Sequence, residues 1–284
     1  MSLCYLNGEF VPRAEARVSP LDRGFLFGDG VYEVIPVYGG RPFQLAGHLA
    51  RLEKSMAGIR IGNPHTAAEW TALIGRLIAA NPWPDQAVYV QVTRGADTVR
   101  NHAFPKGVAP TVFMMADPLA PVPAEQMENG VSAVSAVDNR WLRCDLKTTS
   151  LLANCLLRQL AIEQGCAETV LFRDGFLTEG SASNIFVVRD GVLLAPPKTH
   201  LILPGITYDV VLDLARRHGQ PFEVREIAEA EVRAADELWL TSSTKEVLPI
   251  TRLDGQPVGD GRPGPVTRRL HGWYQSAKAS GELA

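Results

Sequence analysis

The sequence is poor in the features that most often announce a function. It has four cysteines, Cys4, Cys144, Cys155 and Cys166, with no C-x-x-C pair, and no histidine spacing completes a zinc site. Its six histidines include no H-E-x-x-H, and there is no G-x-S-x-G nucleophile motif. No Walker A string is present. The glycines of "FGDGVYEV" fail as a dinucleotide fingerprint, because Glu33 stands where the third glycine belongs and a β-branched run follows. Basic residues are not in excess: the formal net charge is −3, which argues against a nucleic-acid or anionic-membrane surface. No apolar run is long enough for a transmembrane helix. The start, "MSLCYLNGEF", has neither a basic segment nor a long apolar one, so no signal peptide is expected. Reduced thiols in a cytoplasmic protein are the expectation.

What remains is an ordinary globular composition, 46% hydrophobic and 21% charged. Length alone allows one large domain or two modest ones. "CYLNGEFV" is strand-like around an Asn-Gly turn, and "GVYEVIPVYGGRPFQL" reads as two β runs joined by Gly39-Gly40. Leu49, Leu52, Met56 and Ile59 recur at helical spacing over 46–59, and a second helix is predicted over 66–80, ending before "NPWPD". "AVYVQVTRG" and "APTVFMMA" alternate as strands. A proline-rich stretch, Asp117 to Gly130, is the candidate linker. Beyond it come the strand "VSAVSAV", a helix from about Ser150 to Gln164, and two Asp-Gly turns that predict β-hairpins. A helix from near Thr207 to Gly219 and the strands of "DELWLTSSTKEVLPI" complete an α+β fold in two unequal halves.

Several polar residues stand out, each with an ordinary alternative. Lys147, in "RWLRCDLKTTSLLANC", lies just ahead of a predicted helix whose electropositive end disfavours a cation, with Thr149 or Ser150 as the expected cap. Gly205, Ile206 and Thr207 of "LPGIT" open another helix, where unpaired N–H groups suit an anion; the alternative is an N-cap at Thr207. Ser242 and Ser243 form a hydroxyl turn. Arg51, off the apolar stripe of its helix, is either solvated or a phosphate fork. Glu179 is either an exposed turn residue or a partner for a heterocyclic N–H. Arg100 and His102 alternate in an extended loop, where they either hold a carboxylate or are simply solvated.

In this order and spacing, the motifs "DRGFLFGDGVYEV", "HLARL", "QVTRG", "RWLRCDLK", "GCAETVLFRDGFLTEGSASN", "LPGIT" and "DELWLTSST" resemble the fold-type IV pyridoxal-phosphate enzymes. That family includes D-amino acid aminotransferase, branched-chain aminotransferase and aminodeoxychorismate lyase, and the resemblance is strongest to the first. It implies a smaller N-terminal α/β domain over 1–117, a linker over 118–130, and a larger cofactor-binding domain over 131–284 with a mixed, barrel-like sheet. It implies pyridoxal 5'-phosphate (PLP) as cofactor, with Lys147 as the Schiff-base lysine and Glu179 facing the pyridine nitrogen. Arg51, Gly205, Ile206, Thr207, Ser242 and Ser243 would line the phosphate site, and Leu203 would pack on the ring. Tyr32, Arg100 and His102 would hold the substrate carboxylate, the last two supplied by the neighbouring subunit of a homodimer. The implied reaction moves an amino group from a D-amino acid to a 2-oxo acid such as 2-oxoglutarate, with no metal. A lyase on the same fold is the alternative, and the "RNH" stretch argues against it; branched-chain L-amino acid or (R)-amine transamination is a third. Three departures from the pattern are Asn101 between Arg100 and His102, Thr148 after Lys147, and Pro36 where a lysine is expected near the substrate entrance.

Overall fold

The computed structural model describes residues 2–281. It divides into two compact units. Among the described residues, one runs to Ala120 and also takes in Leu146–Leu151; the other comprises Pro121–Asp145 and residues 152–281.

The first unit contains β1 (Leu3–Leu6), β2 (Glu9–Pro12), α1 (Arg23–Phe27), β3 (Gly30–Tyr38), β4 (Arg41–Pro42), α2 (Leu45–Gly58), α3 (Ala67–Ala79), β5 (Gln86–Thr93) and β6 (Thr111–Pro118). Its six strands form one antiparallel sheet in the order β2-β1-β6-β5-β3-β4. Alternation along β5 sends Val88, Val90 and Val92 into a core with Leu52, Met56 and Trp70 of the helices. Tyr89 and Gln91 therefore face the other side. Thr66 accepts from the Glu69 N–H while the Glu69 side chain accepts from the Thr66 N–H, a capping box that starts α3 where the pattern predicts.

The second unit holds α4 (Ala124–Asn129), β7 (Val131–Val137), α5 (Leu152–Glu163), β8 (Glu168–Arg173), β9 (Phe176–Gly180), β10 (Asn184–Arg189), β11 (Val192–Ala195), α6 (Ile206–Arg217), β12 (Phe222–Val224), α7 (Glu229–Arg233), β13 (Glu237–Ser242), β14 (Glu246–Leu253), β15 (Gln256–Pro257) and α8 (Pro265–Ser280). The nine-stranded sheet is mixed, ordered β12-β11-β10-β13-β14-β7-β8-β9 with β15 on β14. Its terminal strand β9 passes through Ser181–Ser183 straight into β10, so the sheet curls back on itself. Asp174-Gly175 and Asp190-Gly191 turn the two predicted hairpins with positive φ at all four residues.

Within residues 118–130, α4 takes Ala124–Asn129, and Val122 and Met127 pack against the second unit's core. One expectation needs revision. Helix α5 begins only at Leu152, and the hydroxyls expected to cap it act elsewhere. Thr149 Oγ1 donates to the Gly28 and Gly30 carbonyls, and Ser150 Oγ to Gly28. The reason is that the segment around Lys147 runs beside β3. The Tyr32 N–H donates to the Lys147 carbonyl at 2.9 Å and the Thr149 N–H to Gly30 at 2.9 Å, so these backbone groups are satisfied by strand neighbours.

Candidate active site

In the first unit, Lys147 is anchored by its backbone and leaves its side chain for chemistry. Its N–H donates to Ser55 Oγ on α2 at 3.2 Å, and its carbonyl is held by Tyr32. The ammonium lies 4.2 Å from the centre of the Tyr32 ring, a cation–π contact. Tyr32 in turn stacks on Tyr89, 5.6 Å between centroids. Burial pushes the Tyr89 hydroxyl up to about 12, so it stays protonated at neutral pH.

Arg51 is neither solvated nor on an open helix face: it is 8% exposed. Glu33, fully buried on β3, accepts from Arg51 Nε at 2.7 Å and Nη2 at 2.8 Å, a fork-on-carboxylate pair. Buried His48 adds a third bond, Nδ1 to Glu33 Oε2 at 2.8 Å. Burial alone would raise the Glu33 carboxyl, but Arg51 and His48 outweigh it and hold it well below the usual carboxylate range. Burial also pushes His48 down, against the pull of Glu33. The residue that spoils the glycine fingerprint is therefore the one that orients Arg51.

Arg100 and His102 are exposed on the connection between β5 and β6. Both rest on Phe27: the guanidinium carbon lies 5.0 Å from its ring centre, and the imidazole 5.2 Å.

In the second unit, Glu179 is 4% exposed on β9, not on an open turn. Its Oε2 accepts from the Leu203 N–H at 3.0 Å and from Asn184 Nδ2 at 3.1 Å; its Oε1 accepts from Arg140. Arg140 is shared, since Asp138 takes its Nε at 2.9 Å and Nη2 at 2.8 Å. Burial pushes the Glu179 carboxyl up to about 7, against the attraction of Arg140 and with the Asp138 charge adding to the rise. Asn184 also binds the Leu203 carbonyl at 2.9 Å, which ties the half-buried Leu203 to the same carboxylate.

Helix α6 starts at Ile206 with Gly205, not Thr207, at its N-cap, and no side chain caps it. A Cβ on Gly205 would sit 2.0 Å from Asn184 Oδ1, so only glycine lets the helix begin against that amide. Ile206 and Thr207 occupy the first turn, where backbone N–H groups have no intrahelical partner. Ser242 Oγ accepts from the Lys245 N–H at 3.1 Å, the hydroxyl turn expected at the end of β13, with Ser243 beside it. Among the described residues no group of three metal-ligating side chains occurs.

Within the second unit, a buried carboxylate suits a heterocyclic N–H, and an uncapped helix start with Thr207 in its first turn suits an anion. The family model for class IV amino-transferases matches residues 30–253. The chain belongs to the class IV aminotransferases. Among curated relatives, a D-alanine aminotransferase of Bacillus licheniformis is 42% identical over 95% of both chains. One of Listeria innocua is 39% identical over 98% of this chain and 97% of its own. Among solved structures, a branched-chain amino acid aminotransferase from T.th., solved with pyridoxamine 5'-phosphate, superposes with a TM-score of 0.90 at 28% identity, covering 97% and 93% of the two chains. Its Escherichia coli counterpart gives 0.88 at 28% identity, covering 95% and 92%. Class IV aminotransferases of this fold type are PLP-dependent, and the residues of this chain fit that cofactor: Gly205 leaves the α6 N-terminus open to a phosphate, and Glu179 offers a buried acceptor for a ring N–H.

Arg140, Asp138, Glu33 and His48 carry no assigned role in the sequence reading. Arg140 lies inside the quoted "RWLRCDLK" motif, and its spacing from Asp138 was the available signal.

Proposed function

We propose that this class IV aminotransferase transfers the amino group of a D-amino acid, D-alanine in the first instance, to a 2-oxo acid such as 2-oxoglutarate. The observation that carries the reading is the pair Arg100 and His102, both seated on Phe27, in a chain whose curated relatives over nearly its whole length bear the name D-alanine aminotransferase.

PLP, when bound, supplies the electron sink that makes a Cα–H bond of an amino acid labile. Lys147 would hold the cofactor's aldehyde end, and its free amine would move a proton to and from the substrate Cα. The Tyr32 ring beneath the ammonium restricts where that amine can reach. Glu179 accepts the pyridine N–H, and the arriving positive charge favours its ionised form. Arg51, the Ile206 and Thr207 N–H groups, and Ser242 and Ser243 would take the phosphate, and Leu203 would pack on the ring. Tyr32, Arg100 and His102 hold the substrate carboxylate, which fixes the Cα face presented to Lys147. We take the protein to work as a homodimer in the cytoplasm, with Arg100 and His102 serving the neighbouring subunit's site. The four free thiols suit that compartment.

Holoenzyme supplied with D-alanine and 2-oxoglutarate should release pyruvate, and L-alanine should not replace the donor. Pyruvate appearing only from aminodeoxychorismate, without an amino acceptor, would turn the assignment toward the lyase. Borohydride reduction followed by peptide mapping should place the pyridoxyl label on Lys147.

A further inference from the structure

We propose that Arg23, together with the Phe27 ring, is a positioning residue for substrate recognition: it grips the backbone of the loop that carries Arg100 and His102. The inference rests on the reading of those two residues as carboxylate ligands.

The β5–β6 connection runs from Arg94 to Pro110 with no helix or strand of its own. Antiparallel neighbours are ordinarily joined by about 2–5 residues, and long connections inside a compact domain usually carry function. Its exposed tip has a turn bond of its own, from the Ala103 N–H to Asn101 Oδ1 at 3.1 Å. Arg23, at the first position of α1, grips it from beneath while only 4% exposed. Its Nη1 donates to the Asn101 carbonyl and to that of Ala103 at 3.3 Å, and its Nη2 to that of His102 at 3.2 Å. Three successive peptide planes are thereby held by one guanidinium. The backbone leaving Arg100 and passing through His102 cannot rotate without breaking these bonds. Phe27, one turn along α1, completes the seat: the Arg23, Arg100 and His102 groups all lie within 5.2 Å of its ring centre.

The remaining contacts explain why a buried cation is tolerated there. Arg23 Nε donates to Asp29 Oδ2 at 2.8 Å, and Arg94 grips the same carboxylate with Nε at 2.8 Å and Nη2 at 2.9 Å. Arg94 also covers Phe104 at 3.6 Å, which pins the far side of the loop. At the neck, the Arg23 N–H donates to the Gly95 carbonyl at 2.9 Å. Gly95 has φ +91°, and a Cβ there would lie 2.1 Å from the Ala109 carbonyl oxygen. A lysine at position 23 would keep the charge but not the planar fork that reaches three carbonyls at once. A loop ordered before substrate arrives costs less to order on binding, and small displacements of positioning groups are expensive.

The test compares wild-type holoenzyme with Arg23→Gln and Arg23→Lys. Donor KM, kcat, inhibition by D-lactate as a carboxylate without an amino group, PLP affinity and amide hydrogen exchange over residues 97–107 are measured. Donor KM and the D-lactate inhibition constant should rise about tenfold, with kcat within about twofold of wild type. PLP affinity should be unchanged, and the loop amides should exchange faster. Unchanged loop exchange, or a fall in kcat and PLP affinity with KM unaltered, would overturn the proposal. If the Arg23 variants do not fold, Phe27→Leu should give the same split between KM and kcat, and its absence would equally overturn it. Arg100→Ala separates the two readings. An unchanged donor KM in that variant defeats the carboxylate assignment, while the exchange data still decide whether Arg23 fixes the loop.

Discussion

Glu33 in the first unit and Glu179 in the second are both buried carboxylates that touch an arginine, yet their protonation is driven in opposite directions. Glu33 receives two N–H groups of Arg51, Nε and Nη2, plus His48. Its carboxyl is held well below the usual carboxylate range, so it stays ionised. Glu179 receives one Arg140 nitrogen, while Asp138 takes two. Desolvation then wins, and the carboxyl is pushed up to about 7. Burial alone therefore does not decide protonation; the outcome depends on the share of positive charge each carboxylate commands against it. The first unit orients a cation with a committed anion. The second holds a carboxyl that burial pushes toward its protonated form.

Removing each carboxylate should break this contrast in a different way. The largest effect is expected from Glu33→Gln, which leaves the Arg51 charge buried without its counter-ion and should cost about 3–5 kcal/mol in a chemical denaturation experiment. PLP affinity, read by absorbance titration, should fall with it because Arg51 loses its orientation.

Glu179→Gln should do the reverse. The apo-protein, relieved of a reluctant buried carboxyl, should keep its stability. Turnover should drop about a hundredfold, because the ring N–H loses a charged acceptor worth about 1.5–3 kcal/mol. Equal stability losses in the two variants would show that the carboxylates are equivalent and defeat the comparison.

The pH dependence carries opposite signs. Glu179 has a folded value above its ordinary 4.5, so the fold binds an extra proton between 4.5 and about 7. Its contribution to apo stability should fall as pH rises through that window, by up to about 1.4 kcal/mol per pH unit. Subtracting the Glu179→Gln profile from wild type should isolate that slope. Glu33 is depressed, so its contribution is fully present above its ordinary 4.5 and lost as pH falls below that value. The wild-type advantage over Glu33→Gln should shrink there.

The smallest effect is expected from His48→Asn, which removes one of three bonds to Glu33 and should cost about 1 kcal/mol while leaving the Arg51 fork in place. A loss as large as that of Glu33→Gln would mean that His48, not Arg51, governs the trio.

Much of the fold is legible in the sequence. The capping box at Thr66 and Glu69, the Asp-Gly turns and the strand alternation depend on neighbours a few residues apart, so local chemistry is enough to read them. Lys147, Glu179 and the "LPGIT" helix start can be picked out because the family resemblance covers them. Arg51 is harder. Its helix pattern marks it as off the apolar stripe, which would ordinarily mean solvated, because the pattern carries no information about a carboxylate on a strand. The cap expected from Thr149 or Ser150 fails for a similar reason: both hydroxyls have better acceptors in the Gly28 and Gly30 carbonyls, far away in the chain.

The sequence by itself determined the element types, the turn positions and the kinds of side chain available for a PLP-dependent aminotransferase. Only the tertiary structure decided how those side chains are charged and held. It set Glu33 against Arg51, divided Arg140 between Asp138 and Glu179, and placed Arg23 beneath the Arg100–His102 loop. Desolvation and ion pairing act over a few ångströms of space and without regard to chain separation, so such partnerships leave little trace in local sequence pattern.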